Sequence, residues 1–189
     1  MKEVFIKLER CTACKSCEIA CAVEHSSSKD LFAAIFERPS PLKRVHVEKA
    51  FSFSYPARCL HCADAPCIRA CPVGAMSREA DIGSVVVNED RCMGCFMCAM
   101  VCPFGAISLN PGEKTALKCD FCRSRLREGR IPACVEACPT QALMFGEVDA
   151  LGREKRMITA ETVVRAMGSI KDEKSGVTPL DLLRKMGGV

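Results

Sequence analysis

Apolar residues in this chain come in short bursts, never in long periodic runs. Residues 3 to 8 (EVFIKL) read as a short strand leading into a loop that begins at Cys11. Val85, Val86 and Val87, followed by Asn88, Glu89 and Asp90, read as a strand and turn, and Ile107 to Leu109 as a returning strand. Between residues 25 and 57, Ser26, Ser27 and Ser28 with Lys29 and Asp30 mark a polar turn, and Pro39 and Pro41 a break. Val45, Val47, Phe51 and Phe53 then alternate with polar or small residues, which predicts a β-hairpin. Towards the end, residues 160 to 170 and 178 to 186 carry helical spacing (Val163, Val164, Met167; Leu180, Leu182, Leu183, Met186), with Thr178 as N-cap and Pro179 at N1. The tail is expected to pack on its own domain or to meet a partner.

One segment type repeats. PVGAM at Pro72, PFGAISL at Pro103 and PTQALMF at Pro139 each follow a Cys-Pro pair with a turn and an apolar stretch. The recurrence is an internal repeat and predicts two pseudo-symmetric modules.

Composition changes the picture in one respect. A chain of 189 residues makes one domain or two small ones, yet it holds nine Phe, one Tyr and no Trp. A core so poor in large side chains is weak alone, and small metal domains make up the difference by ligation. The metal-free chain is therefore expected to be unfolded or molten. The first residues, MKEVFIKLERC, show neither an apolar signal region nor twin arginines, and no stretch approaches eighteen apolar residues. The expectation is a soluble, cytoplasmic protein.

The chemistry lies in sixteen cysteines that fall into four sets of four: Cys11, Cys14, Cys17, Cys21; Cys59, Cys62, Cys67, Cys71; Cys92, Cys95, Cys98, Cys102; and Cys119, Cys122, Cys134, Cys138. The first and third read C-x2-C-x2-C-x3-C, the run that holds cubane iron–sulfur clusters in bacterial ferredoxins. Three cysteines wrap one cubane, and the fourth ligates the other cluster of a pair. A proline suits the next position, since its fixed φ turns the chain there. Pro72, Pro103 and Pro139 occupy it, whereas Ala22 follows Cys21, so the first set departs from the pattern. Four complete sets predict four [4Fe–4S] clusters as cofactors.

Zinc is the main rival, but zinc sites pair separated CxxC units or mix cysteine with histidine. Only three histidines are present, none at zinc-finger spacing. Disulfides do not fit a chain without an export signal. The formal charge of +4 does not argue for nucleic acid. An oxidised cluster with four thiolates carries about −2, so four of them bring the loaded protein to about −4. Arg123, Arg125, Arg127 and Arg130, in the stretched fourth set, are either ordinary charges of an exposed loop or positive charge that raises a cluster potential. Catalysis is assigned to no residue: no dinucleotide fingerprint, P-loop or HExxH appears. His61 reads as a loop residue or a hydrogen-bond donor near a cluster, and His25 and His46 carry no assigned role.

With C-x2-C-x4-C-x3-C-P second and C-x2-C-x11-C-x3-C-P last, residues 3 to 148 resemble the four-cluster iron–sulfur subunit family. Its members include the electron-transfer subunits of dimethyl-sulfoxide reductase, formate dehydrogenase and formate hydrogenlyase. The resemblance implies that the first set pairs with the fourth and the second with the third. Cys11, Cys14 and Cys17 would then share a cluster with Cys138, and Cys119, Cys122 and Cys134 one with Cys21. Cys59, Cys62 and Cys67 would take Cys102, and Cys92, Cys95 and Cys98 would take Cys71. The implied fold class is α+β: two interleaved bacterial-type 2[4Fe–4S] ferredoxin-like modules, a β-hairpin insertion and a helical C-terminal tail. The corresponding divisions are residues 1–24 with 113–149, residues 58–112, the insertion 25–57 and the tail 150–189.

Within that family, CTACKSCEIACAVEHSSSKDLFAAI and CMGCFMCAMVCPFGAI are similar to the CooF branch, the iron–sulfur proteins associated with nickel carbon monoxide dehydrogenase. The function implied is a non-catalytic redox subunit, carrying electrons from carbon monoxide dehydrogenase to a hydrogenase or a flavin enzyme that reduces NAD(P). The alternatives are a subunit of a molybdenum or tungsten formate or aldehyde oxidoreductase, and a free polyferredoxin.

Overall fold

The computed structural model describes residues 2–166; Met167 and the expected second helix with Thr178 and Pro179 lie outside the described residues. The chain divides into a unit spanning Val4–Phe145 and a second formed by the first three residues with Gly146–Val189. In the second unit, a helix begins at Val148, twelve residues before the apolar spacing predicts, and runs to Ala166. Its early turns are polar, so periodicity alone does not announce them; its Thr159 and Thr162 hydroxyls donate to carbonyls one turn back.

Among the described residues, eight strands make four two-stranded sheets: β1 (Lys2–Ile6) with β8 (Leu143–Glu147), β2 (His46–Ala50) with β3 (Phe53–Ala57), β4 (Met76–Arg78) with β5 (Val85–Val87), and β6 (Ile107–Asn110) with β7 (Thr115–Lys118). The predicted hairpin of the insertion is β2–β3, antiparallel, pairing Val47 with Pro56 around the turn at Phe51 and Ser52. The strands at Val85 and Ile107 each have their own hairpin partner: Met76 faces Val87, and Ile107 faces Lys118.

The Cys-Pro repeat has one structural form. After Cys71, Cys102 and Cys138 the chain turns through a left-handed residue, Gly74 (φ 60°), Gly105 (φ 57°) or Gln141 (φ 53°). The amide of each donates back to the cysteine carbonyl, at 3.3, 3.3 and 3.2 Å, and β4, β6 and β8 follow. Where Ala22 stands in place of proline, no such turn forms. Helix α1 (Ser16–Glu24) instead runs through Cys21 for nine residues, because alanine keeps the amide that proline lacks.

The insertion also contains a helix that sequence reading missed, α2 (Leu31–Phe36). The Asp30 carboxylate caps it, accepting from the amides of Phe32 and Ala33 at 3.0 and 2.9 Å. The remaining α-helices among the described residues are single turns that carry cysteines or follow them, α3 (Pro66–Arg69), α4 (Met97–Met100), α5 (Arg123–Arg127) and α6 (Ala133–Glu136), and a 3-10 turn at Leu8–Arg10 precedes Cys11.

The unit holds two cores. One gathers Cys17, Cys21 and Cys134 with Val4, Val45, Phe121 and Leu143, and packs Cys138 at its margin. The other gathers Cys67 and Cys98 with Met76, Val85, Ile107 and Ala116, and packs Cys71, Cys92 and Cys102. The stretch Arg44–Val47 packs on the first core. Val45 is buried there, the Arg44 amide donates to Cys21 Sγ at 3.2 Å, and the Val47 amide donates to Glu18.

Candidate metal centres

Each set begins with the same backbone device. The residue two places after the first cysteine is left-handed in all four: Ala13 (φ 57°), His61 (φ 49°), Gly94 (φ 71°) and Phe121 (φ 66°). Such a residue reverses the local backbone, so that successive amides converge on a sulfur, an anion-binding arrangement. The His61 amide donates to Cys59 Sγ and the Phe121 amide to Cys119 Sγ, both at 3.4 Å. Around Cys71, burial raises the thiol pKa, but the amides of Met76, Ala75, Val73 and Gly74 outweigh it and hold the group below its ordinary value.

Three cavities are each lined by four cysteines. One is lined by Cys59, Cys62, Cys67 and Cys102, with Pro103 and Phe104 at its edge. A second is lined by Cys71, Cys92, Cys95 and Cys98, with Val73 and Met93. A third is lined by Cys21, Cys119, Cys122 and Cys134, with Val45, Arg58 and Phe121. In each, three cysteines come from one stretch and the fourth from another. The remaining four are Cys11, Cys14, Cys17 and Cys138, and the sulfurs of Cys138 and Cys14 both act on Cys17. Cys14 and Cys95 are exposed, while Cys21, Cys122 and Cys134 are buried.

The electrostatics call for a cation. Burial, reinforced by Cys138 and Cys14 among other charges, pushes the Cys17 thiol up to about 11. Burial with Cys21 pushes Cys119 up to about 12. Cys122 and Cys134 are driven up further, by burial and by neighbouring cysteines. Four converging thiolates are untenable in a buried site unless a metal core takes their charge. All sixteen cysteines are free thiols, so every donor that four cubanes require is present. This donor set fits the [4Fe–4S] group.

Burial pulls His25 down, but its hydrogen bonds with Asp120 and Cys21 outweigh this and bring it up to about 9. Nε2 lies 3.0 Å from Asp120 Oδ1, and Nδ1 donates to the Cys21 carbonyl at 2.7 Å. The His61 ring is buried; its Nδ1 accepts from the Val85 amide at 3.0 Å, and its Nε2 has no partner among the described residues. Burial, with the Lys118 and Arg58 charges, holds His61 down at about 3. It packs at 4.9 Å against Phe121.

The four arginines of the stretched set are all paired with carboxylates. Arg123 and Arg127 meet Glu79, Arg127 also meets Asp81, Arg130 meets Glu128, and Arg125 meets Glu24 and Glu136. Their charge is spent on neighbouring acids, so this loop is a structural tie. Sequence reading missed two other cations, Arg58 and Lys118, which are only 3% and 4% exposed. A single cation before a cysteine looks like any surface lysine or arginine in a one-dimensional string.

Residues 50–148 match the 4Fe-4S dicluster domain. The sequence is 40% identical over 155 residues to a subunit of the anaerobic dimethyl sulfoxide reductase of Escherichia coli (strain K12), covering 79% of this protein and 75% of that one. It is 38% identical over 175 residues to "Iron-sulfur protein" of Rhodospirillum rubrum, covering 86% of this protein and 91% of that one. Among solved structures, the active site complex BamBC of benzoyl coenzyme A reductase aligns over 87% of this protein and 91% of its own length, at 19% identity and a TM-score of 0.38. No helix among the described residues is long and apolar enough to cross a membrane.

Proposed function

The protein belongs to the 4Fe-4S dicluster domain family, and on that premise we propose that it is the electron-transfer subunit of an oxidoreductase complex, with four [4Fe–4S] clusters. The clusters, when bound, supply one-electron redox chemistry, and the polypeptide itself holds, insulates and tunes them. The observation that carries this reading is the triple of four-cysteine cavities. Their membership supports the cross-paired sets: Cys59, Cys62, Cys67 with Cys102; Cys92, Cys95, Cys98 with Cys71; and Cys119, Cys122, Cys134 with Cys21. Cys11, Cys14, Cys17 and Cys138 make the fourth. The exposed positions of Cys14 and Cys95 suit entry and exit of electrons, because a sulfur at the surface is where another protein's centre comes nearest.

The partner reading extends the sequence similarity: nickel carbon monoxide dehydrogenase as the catalytic enzyme, and a hydrogenase or a flavin NAD(P) reductase downstream. The likeness to the dimethyl sulfoxide reductase subunit favours a second reading, a molybdenum or tungsten oxidoreductase. Anaerobic affinity purification from the native cells, with metal and acid-labile sulfide analysis, tests both levels. About sixteen irons per polypeptide are expected, since each cubane holds four. Co-purifying nickel, with clusters reduced on adding CO, supports the first partner; molybdenum or tungsten moves the assignment to the second. A polypeptide isolated with zinc and no sulfide sinks the whole proposal.

A further inference from the structure

Two buried cations lie between the cavity of Cys59 and that of Cys119, and neither has a carboxylate partner among the described residues. Arg58 Nη1 donates to the Cys59 carbonyl at 2.8 Å and Nη2 to the Val4 carbonyl, while its Nε is buried with no partner among the described residues. Lys118 Nζ donates to the carbonyls of Val85 and Cys119, the latter at 2.7 Å. Asp120, the nearby acid, is already engaged by His25 and Arg44. The histidine beside them, His61, adds no negative charge and presents Nδ1 as an acceptor to Val85.

A buried charge without a counter-charge is strongly disfavoured, and carbonyl dipoles offset only part of the penalty. Elsewhere in this fold the rule is kept: buried Arg125 has Glu24 and Glu136. The positions of the two exceptions indicate what is missing. The charge of Lys118 acts on Cys67 and on Cys119, and that of Arg58 on Cys119 and Cys134. Those sulfurs belong to the two four-cysteine cavities on either side, whose clusters would each carry about −2 when oxidised and more when reduced.

We infer that Arg58 and Lys118 are the counter-charges of the two interior clusters, those of the Cys59 and Cys119 sets, and that they raise the reduction potentials of these two centres relative to what the cysteines alone would give. Both are positioning residues, acting on the clusters through the field. The inference rests on the cluster assignment above. Reduction adds an electron to each centre, and a fixed positive charge in a low-dielectric interior stabilises the more negative state. Lys118 reaches both sites, so its charge couples the two modules at their junction.

The test uses the purified holoprotein and three variants: Lys118→Gln, which keeps a hydrogen-bond donor without charge; Lys118→Arg, which keeps the charge; and Arg58→Gln. Cluster content is read as iron and sulfide, and midpoints by electron paramagnetic resonance during redox titration. In Lys118→Gln, the reduced-to-oxidised ratio of two of the four clusters should fall about tenfold at fixed potential, a shift of about 59 mV for one electron. In Arg58→Gln the Cys119-set cluster should shift in the same direction, and Lys118→Arg should leave the wild-type values. If the Gln variant fails to load the interior clusters while the Arg variant loads them, the charge requirement appears in iron content, with the same meaning. Four intact clusters with unmoved midpoints in Lys118→Gln would overturn the inference, as would equal behaviour of the Gln and Arg variants. Wild-type protein lacking sixteen irons would instead refute the underlying assignment.

Discussion

Gly94 shows how closely the backbone wraps these sites. It sits at φ +71°, and a Cβ there would lie 2.4 Å from the Lys114 carbonyl oxygen. Backbone, not a pliable side chain, stands in the way. Gly94→Ala should therefore cost about 1–3 kcal/mol in local strain, with selective loss of iron from the Cys92 set. The check is the iron content and thermal midpoint of the holoprotein. The equivalent positions Ala13, His61 and Phe121 tolerate a side chain at positive φ, so the glycine answers to the Lys114 contact rather than to the dihedral alone. Cys21 tests the pairing of sets. Cys21→Ser is expected to remove or alter the cluster of Cys119, Cys122 and Cys134 and to spare that of Cys11, Cys14 and Cys17. Resonance spectra that lose the latter signal instead would refute the cross-pairing.

At the scale of elements, Arg125 ties together three helices, two of them single turns too brief to stand by themselves. From α5 it reaches Glu24 at the end of α1, Glu136 on α6, and the Ile131 carbonyl at 2.8 Å. Its side chain is 7% exposed and that of Glu24 is 9%. Removing one partner leaves a buried charge, so Arg125→Met should destabilise the holoprotein by about 3–5 kcal/mol. Arg130→Met, at an exposed pair, should change stability by less than about 0.5 kcal/mol. Denaturant unfolding of the two variants under anaerobic conditions separates them; equal effects would show that Arg125 contributes no more than a surface pair.

For the whole molecule, cysteines stand in both cores, beside small residues such as Ala65 and Ala116 in one of them. The sulfurs occupy positions that a larger apolar side chain would fill in an ordinary core, and burial makes Cys17, Cys67, Cys98 and Cys134 reluctant thiolates. Stripping the metal should remove both the ligand bonds and the counter-charge of Arg58 and Lys118. The expected outcome is loss of cooperative unfolding in calorimetry and of fixed side-chain signals in near-ultraviolet dichroism, with recovery on reconstitution. A sharp transition in the metal-free protein would sink this expectation.

The sequence alone determined the chemistry, because ligand chemistry is written in residue type and spacing. Sixteen cysteines in four sets, the Cys-Pro repeat and the missing proline after Cys21 could all be read directly, and the turns and the unbroken α1 follow from proline's fixed φ and absent amide. The hairpin that spans His46 to Ala57 was legible from its alternation. α2 was not read, although Asp30 before an apolar run was an available signal. Only the tertiary structure decided which charges meet. The arginines of the fourth set read in one dimension either as ordinary loop charges or as a source of positive field, yet every one is matched by an acid, with Glu24 and Glu79 distant in sequence. Arg58 and Lys118 look ordinary in the sequence, yet they are buried cations with no acid partner among the described residues. Burial and long-range pairing set the energy of a charge, and neither is a property of its neighbours in sequence.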